Sequence, residues 1–233
     1  MPEKILVVDD NKSICEILEF NLSNEGYAVE SACSAEEALQ KLTSQHSLIL
    51  LDVMMGDMSG YKMAEKLRRE KNPIPIIFLT AKDTENDMLT GFSVGADDYI
   101  AKPFSIKEVI ARVKALLKRS EIKQNGAESL PDAKRRLAFD DFIINFDTKE
   151  VMIGNEIIAL TRTEFDIITL LASNPERIFE REEIIDNIWK DSPYITERTI
   201  DVHIGRLRKK LGDKASFIVS RPGYGYRFNN NPK

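Results

Sequence analysis

The sequence predicts an α/β domain built on a five-stranded, doubly wound parallel sheet, followed by a smaller α+β domain. Three observations carry this prediction. Five short apolar runs, at 5–8, 28–32, 48–51, 75–79 and 98–101, alternate with amphipathic stretches through the first half. Strands that alternate with helices imply a parallel sheet covered on both faces. Beyond a polar stretch at 121–136 the pattern changes to short alternating strands, three helical segments and a last hairpin. The length of 233 residues suits two domains, each able to bury its own core.

Each element has a local signature. In 12–24, Ile14, Ile17, Leu18, Phe20 and Leu22 form one apolar side, and in 35–43 Ala38, Leu39 and Leu42 do so. Ser34 with Glu37 three residues on is a capping-box pattern, and Ser105 with Glu108 is another. The stretch 105–118 is the cleanest helix, with Ile106, Val109, Ile110, Val113, Leu116 and Leu117 at helical spacing. From 119 to 136 apolar content falls away, as in a solvated linker. Phe142, Ile144 and Phe146 then alternate with other residues. After turns at Asp147–Glu150 and Gly154–Asn155 the pattern resumes at Val151, Ile153 and Ile157–Leu160, an antiparallel meander. Helical patterns follow at 163–173, ended by Asn174-Pro175, at about 181–189, and at about 196–211, ended by Gly212. A hairpin through Pro222-Gly223 closes the chain. The expected division is 1–120, a linker at 121–136, and 137–233.

Charge separates the two halves. Residues 1–119 hold 15 Lys+Arg against 19 Asp+Glu, a balance of −4, whereas 134–233 hold 17 against 16, a balance of +1. The basic residues of the second half are clustered. No apolar run reaches the length of a membrane span. The chain enters a strand almost at once, which predicts no signal peptide. Cys15 and Cys33 do not form a disulfide framework; both are expected as buried packing residues in a reducing cytoplasm.

The chemistry lies at the strand ends. Asp9 and Asp10 follow the first run, Asp52 the third, Thr80 the fourth and Lys102 the fifth. In an open parallel sheet all carboxyl ends share one edge, and ligands bind there. Three acids suit Mg²⁺, a hard cation that prefers oxygen ligands and shares its shell with phosphate. Asp52, which ends the central run, is the expected nucleophile, with Lys102 and Thr80 holding phosphoryl oxygens. Each element alone is weak, because an Asp pair after a strand is more often a turn or a helix cap. The joint arrangement in chain order is far more specific.

These residues carry a family resemblance. Ile5–Asp10, Leu50–Met54, Leu79–Ala81 and Gly95–Phe104 make residues 3–119 similar to a two-component response-regulator receiver domain, which has a flavodoxin-like fold. The resemblance implies that Asp52 accepts phosphate from a sensor histidine kinase. It implies Mg²⁺ held by Asp9, Asp10, Asp52 and the Met54 carbonyl. Lys102 would pair with the phosphoryl group, Thr80 would move to bond it, and Tyr99 would turn inward behind it. Phosphorylation would drive a homodimer through 84–118, with Asp97, Glu108 and Arg112 at the interface.

The stretch 196–211 concentrates Arg198, Arg206, Arg208, Lys209 and Lys210 against one internal acid, Asp201, with Val202, Leu207 and Leu211 as an inward face. A basic helix after a shorter helix and turn is a helix-turn-helix candidate. For such a helix alone, a solvated charged face is the commoner explanation. Leu160–Phe165, Trp189, Arg198–Ile204, Arg206–Leu211 and Gly223–Phe228 make 137–229 resemble the winged helix-turn-helix effector of the OmpR/PhoB family. That implies DNA contacts by Arg198, Thr199, Val202, His203, Arg206 and Arg208, with Trp189 in the core or at the backbone. It implies promoter DNA with direct-repeat half-sites and RNA polymerase as partners, and no enzymatic turnover beyond self-phosphorylation and self-dephosphorylation.

Three positions depart from the pattern. Met88 stands where relatives often carry a cation that pairs with the counterpart of Glu108. Gly205 replaces a longer residue in the recognition helix. Pro222 replaces a minor-groove Arg in the wing, leaving Arg221 or Arg227 as substitutes. Two other function classes compete: an aspartyl-phosphate phosphohydrolase, and a DNA-binding protein whose first domain only dimerises. Met54, where the haloacid-dehalogenase pattern has an Asp, argues against the first. The complete acidic set with Lys102 argues against the second.

Overall fold

A computed structural model describes residues 2–81, 84–118, 136–189 and 195–231. The chain divides into two compact units, Met1–Lys123 and Gln124–Lys233. The expected linker falls outside the described residues except at Arg136.

The first unit runs β1 (Lys4–Val8), α1 (Lys12–Asn24), β2 (Ala28–Ala32), α2 (Ala35–Lys41), β3 (His46–Asp52), α3 (Gly60–Arg69), β4 (Ile76–Thr80), α4 (Glu85–Val94), β5 (Asp98–Ala101) and α5 (Ile106–Lys118). All strands pair in parallel, in the order β2-β1-β3-β4-β5. The order reverses between β1 and β3, so the ligand crevice of such a sheet opens outside their carboxyl ends. Ile5–Val8, Leu48–Leu51 and Ile76–Leu79 are completely buried, as two-sided cover by helices requires. One core gathers Val7, Leu18, Leu50, Leu79, Val109 and Val113 between the sheet, α1 and α5.

Several local expectations change. Ser34 caps α2 by accepting from the Glu37 N–H at 3.1 Å, but the Glu37 carboxylate reaches back to the Cys33 N–H rather than closing the box. On α1, Ile17 and Phe20 do not join the apolar side; they are 50% and 68% exposed, while Cys15, Leu18 and Leu22 face the core. Of the two cysteines, Cys15 is buried as expected and Cys33 is exposed.

The second unit begins with a four-stranded antiparallel sheet: β6 (Arg136–Phe139), β7 (Phe142–Asn145), β8 (Glu150–Ile153) and β9 (Glu156–Ile158). Strand β6 was not part of the expected meander. Helices α6 (Arg162–Ala172), α7 (Arg181–Ile188) and α8 (Glu197–Leu211) follow, then a 3-10 segment and the hairpin β10 (Ile218–Arg221) and β11 (Gly225–Phe228). Phe139, Phe142, Phe217 and Phe228 pack with ring centroids 4.7–6.3 Å apart and tie the sheet to the hairpin. Trp189, at the C-cap of α7, is buried in the core.

Candidate phosphoryl-accepting site and DNA interface

Carboxylate oxygens of Asp9, Asp10 and Asp52 all lie within 4.8 Å of one another. Asp9 and Asp52 are buried and Asp10 is exposed. The Lys102 ammonium donates to Asp9 at 2.7 Å and stands 3.3 Å from Asp52 Oδ1. The other Asp9 oxygen accepts from the Asn11 N–H at 3.0 Å. That bond orders the entry to α1, where Asn11 caps the helix through the Ser13 N–H.

Burial pushes the Asp52 carboxyl above its ordinary value; Lys102 opposes this and Asp9 adds to it. Two buried acids share one cation, so the cluster carries excess negative charge. All-oxygen donors with an excess of negative charge fit a divalent cation such as Mg²⁺. The Met54 side chain is 58% exposed beside this group.

A glycine that sequence reasoning missed shapes the site. Gly60 opens α3, and a Cβ there would lie 2.1 Å from the Asp52 carbonyl oxygen. Its N–H donates to the Val53 carbonyl at 3.1 Å, so α3 and the strand that carries Asp52 meet backbone to backbone. The signal available in the sequence was Ser59-Gly60 at the start of a short stretch with Met63, Ala64 and Leu67 on one face.

Thr80 is fully buried at the end of β4, and Tyr99 is fully buried on β5. Tyr99 is hydrogen-bonded to both Thr80 and Tyr61, and burial pushes its phenol well above the usual range. Tyr99 is therefore already inward in this structure.

The expected interface residues are placed differently. Asp97 is wholly buried; it accepts from the Ile76 N–H at 3.1 Å and pairs with Arg68 at 3.3 Å. It staples α3 to the start of β5 and presents nothing to a second chain. Arg112 is also buried and is held within the chain by Asp98 at 3.1 Å and Glu108 at 3.2 Å. Glu108 remains half-buried at the surface.

In the second unit, Thr161 and Glu164 form the capping box of α6. Glu164 is fully buried, 2.9 Å from Arg206 and 2.6 Å from Lys210 on α8. Burial alone would raise its pKa, but Arg206, Lys210 and the Thr161 N–H hold it below the ordinary value. Arg206 is thus ion-paired to the buried Glu164 and stays half-buried, with 14% of its side chain in solvent. The expectation for His203 is the one that changes: it is completely buried, its ring 5.2 Å from that of Trp189. Burial, then Arg206 and Lys210, push its imidazole well below its usual pKa. Thr199 is buried too and caps the helix start through the Thr196 N–H.

The exposed residues of α8 are Glu197, Arg198, Asp201, Gly205 and Lys209, with Val202, Arg206, Arg208 and Lys210 half-buried. Asp201, Gly205 and Lys209 were not among the expected contacts. Arg208 donates to the Ile218 carbonyl at 2.6 Å and to Ser220 at 2.9 Å, which ties the helix to the hairpin. In the hairpin Arg221 is exposed, whereas Arg227 is ion-paired with Glu176 and only 14% exposed. Of the two candidate substitutes for the missing wing Arg, Arg221 has the accessible position.

Comparison with known proteins agrees with both units. The family model of the response regulator receiver domain matches residues 5–114, and that of the C-terminal transcriptional regulatory protein domain matches 154–228. The chain is 39% identical over 231 residues to the transcriptional regulatory protein YclJ of Bacillus subtilis, covering 98% of this chain and 100% of that one. DrrB of Thermotoga maritima, an OmpR/PhoB homolog of known structure, is 30% identical with a TM-score of 0.52, covering 98% of this chain and 100% of that one. The chain belongs to the OmpR/PhoB family of response regulators. This response regulator is also similar to the transcriptional regulatory protein SrrA of Staphylococcus aureus, 38% identical over 233 residues, covering 98% of this chain and 96% of that one. A variant of RitR superposes with a TM-score of 0.75 at 28% identity, covering 98% of this chain and 100% of that one.

Proposed function

We propose that this regulator takes a phosphoryl group onto Asp52 from a histidine kinase and thereby controls its own binding to promoter DNA. The observation that carries the reading is the buried Asp52 carboxylate beside Lys102, at the sheet edge it shares with Asp9 and Asp10. An Asp52 oxygen attacks phosphorus, the bond to the donor nitrogen breaks, and an acyl phosphate forms. Asp9, Asp10, Asp52 and the Met54 carbonyl would hold Mg²⁺, which when bound supplies charge neutralisation and in-line alignment. Lys102 turns from Asp9 toward the new phosphoryl oxygens, and Thr80 donates its hydroxyl to one of them. A local charge event of this kind biases a two-state element.

The element is the α4–β5–α5 face. With Met88 in place of a cation and Arg112 engaged inside the chain, the dimer there rests on apolar contact more than on ion pairs between subunits. The paired effector units then bind direct-repeat half-sites and present RNA polymerase with a regulator in the cytoplasm, without metabolic turnover. Arg198 and Lys209 neutralise phosphates, Val202 faces bases in the major groove, and Arg221 serves the wing.

Sedimentation of the whole chain with and without a small phosphodonor and Mg²⁺ tests the reading. A dimer gain on phosphorylation supports it, and a monomer at every concentration and low salt contradicts it.

A further inference from the structure

Four hydroxyl- or carbonyl-bearing groups form a line from the phosphoryl-sensing residue to α4. Tyr61 Oη donates to the Asp87 carbonyl, in the first turn of α4, at 3.0 Å. Tyr99 is hydrogen-bonded to Tyr61 on one side and to Thr80 on the other. Each hydroxyl has one proton to give. Tyr61 spends its proton on Asp87, so the Tyr99–Tyr61 bond must run from the Tyr99 O–H to the Tyr61 oxygen. Tyr99 has then spent its own, so the Thr80 bond must run from the Thr80 O–H to the Tyr99 oxygen. The chain therefore has one direction: Thr80 to Tyr99 to Tyr61 to the α4 backbone.

The rings are packed as tightly as the hydroxyls are bonded. Tyr61 sits edge-on to Phe78 with centroids 5.1 Å apart, and Phe78 is edge-on to Tyr99 at 6.3 Å. Helix α4 closes over both at Gly91, where a Cβ would come within 3.1 Å of the Tyr99 ring and 3.2 Å of Phe78. The line is thus sandwiched between β4, β5, α3 and α4.

We propose that Tyr61 is a positioning residue that extends the Thr80–Tyr99 pair to the backbone of α4, so that the direction of this hydrogen-bond chain reports whether Asp52 carries a phosphoryl group. The inference rests on the reading that Asp52 is phosphorylated and that Thr80 answers it. Once Thr80 donates to a phosphoryl oxygen, its proton no longer points at Tyr99. Tyr99 can then donate back to Thr80, and Tyr61 loses the donor that polarised its own bond to Asp87. Chains of hydrogen bonds strengthen one another, so losing one end weakens the other. The first turn of α4 is released from α3 on phosphorylation, and held by it before.

The test uses the full chain labelled with 3-fluorotyrosine, beryllofluoride with Mg²⁺ as the phosphoryl stand-in, and the variants Tyr61→Phe and Tyr99→Phe. Phe keeps the ring against Phe78 and removes only the hydroxyl. The fluorine resonances of Tyr61 and Tyr99 should shift together on addition of beryllofluoride. In Tyr61→Phe the Tyr99 resonance should already be displaced before addition. The dimerisation constant of the unphosphorylated Tyr61→Phe protein should rise roughly fivefold, the factor that one neutral hydrogen bond supports, with little change in the phosphorylated protein. A Tyr61 resonance that ignores beryllofluoride while Tyr99 responds would overturn the inference and leave the phosphorylation reading intact. An unmodified chain in which neither responds would overturn that reading and the inference with it.

Discussion

Replacing Glu164 by Gln should destabilise the second unit by about 3 kcal/mol. The carboxylate is fully buried, 2.9 Å from Arg206 and 2.6 Å from Lys210, and it accepts from the Thr161 N–H at 2.8 Å. Breaking one side of a buried ion pair costs about 3–5 kcal/mol, because the opposite charge is left uncompensated. The lower end applies here. The Arg206 and Lys210 side chains keep 14% and 26% of their surface in solvent and can swing toward water. Gln also keeps an acceptor for Thr161, so most of the cap survives. With a urea m-value of roughly 1.5 kcal/mol/M, the midpoint should fall by about 2 M. The single tryptophan, Trp189, lies in this unit and packs on α8, so its fluorescence follows this unfolding alone. Glu164 is held below its ordinary pKa, so its contribution is present at neutral pH and lost as pH falls through the lowered value. The gap between the two proteins should therefore close in acid. A loss under about 1 kcal/mol at neutral pH, or a gap that persists in acid, would refute the buried-pair argument.

Other outcomes follow from the same structure. His203 is held neutral below its usual value, so the unfolded chain takes up a proton first. Stability of the second unit should fall by up to about 1.4 kcal/mol per pH unit below the ordinary histidine value of 6.5, and His203→Gln should flatten that slope over the same Trp189 readout. Arg198→Ala should weaken binding to specific and random DNA alike and lower the salt dependence by about one phosphate's worth, read from affinity against salt concentration. Arg206→Ala should act through the fold, lowering the Trp189 unfolding midpoint along with DNA affinity. Met54, exposed at the site, offers no donor to align an attacking water, so Met54→Asn should shorten the lifetime of the purified phosphoprotein in Mg²⁺. The competing influence on that lifetime, Lys82, lies outside the described residues.

The strand-end acids, Thr80 and Lys102 were legible because parallel strands read as unbroken apolar runs, and the residue ending each run is fixed by that pattern. Helix α3 was not, since Lys62, Glu65, Lys66, Arg68 and Arg69 leave only Met63, Ala64 and Leu67 to mark its inner face. Phe20 misled because apolar character alone cannot say that Leu18 and Leu22 already fill the core side of α1. Helix α8 was found from its basic content, but its rotation was not. The spacing places Val202 inward, yet the buried set is Thr199, Ile200, His203, Ile204, Leu207 and Leu211. That phase is decided by Glu164 on another helix and by Trp189, long-range partners that no local spacing reveals. Asp97 and Arg112 were assigned outward for a similar reason, because their partners Arg68 and Asp98 become visible only when α3, β5 and α5 are placed.

The central claim is that Asp52 is the phosphoryl acceptor. The direct measurement is the intact mass of the whole chain after incubation with a small phosphodonor and Mg²⁺, beside an Asp52→Ala variant. The account predicts one added phosphoryl group, stable in acid and lost in base, on the unmodified chain and none on the variant. Equal labelling of the variant, or an unmodified chain that takes up no phosphoryl group, would contradict it.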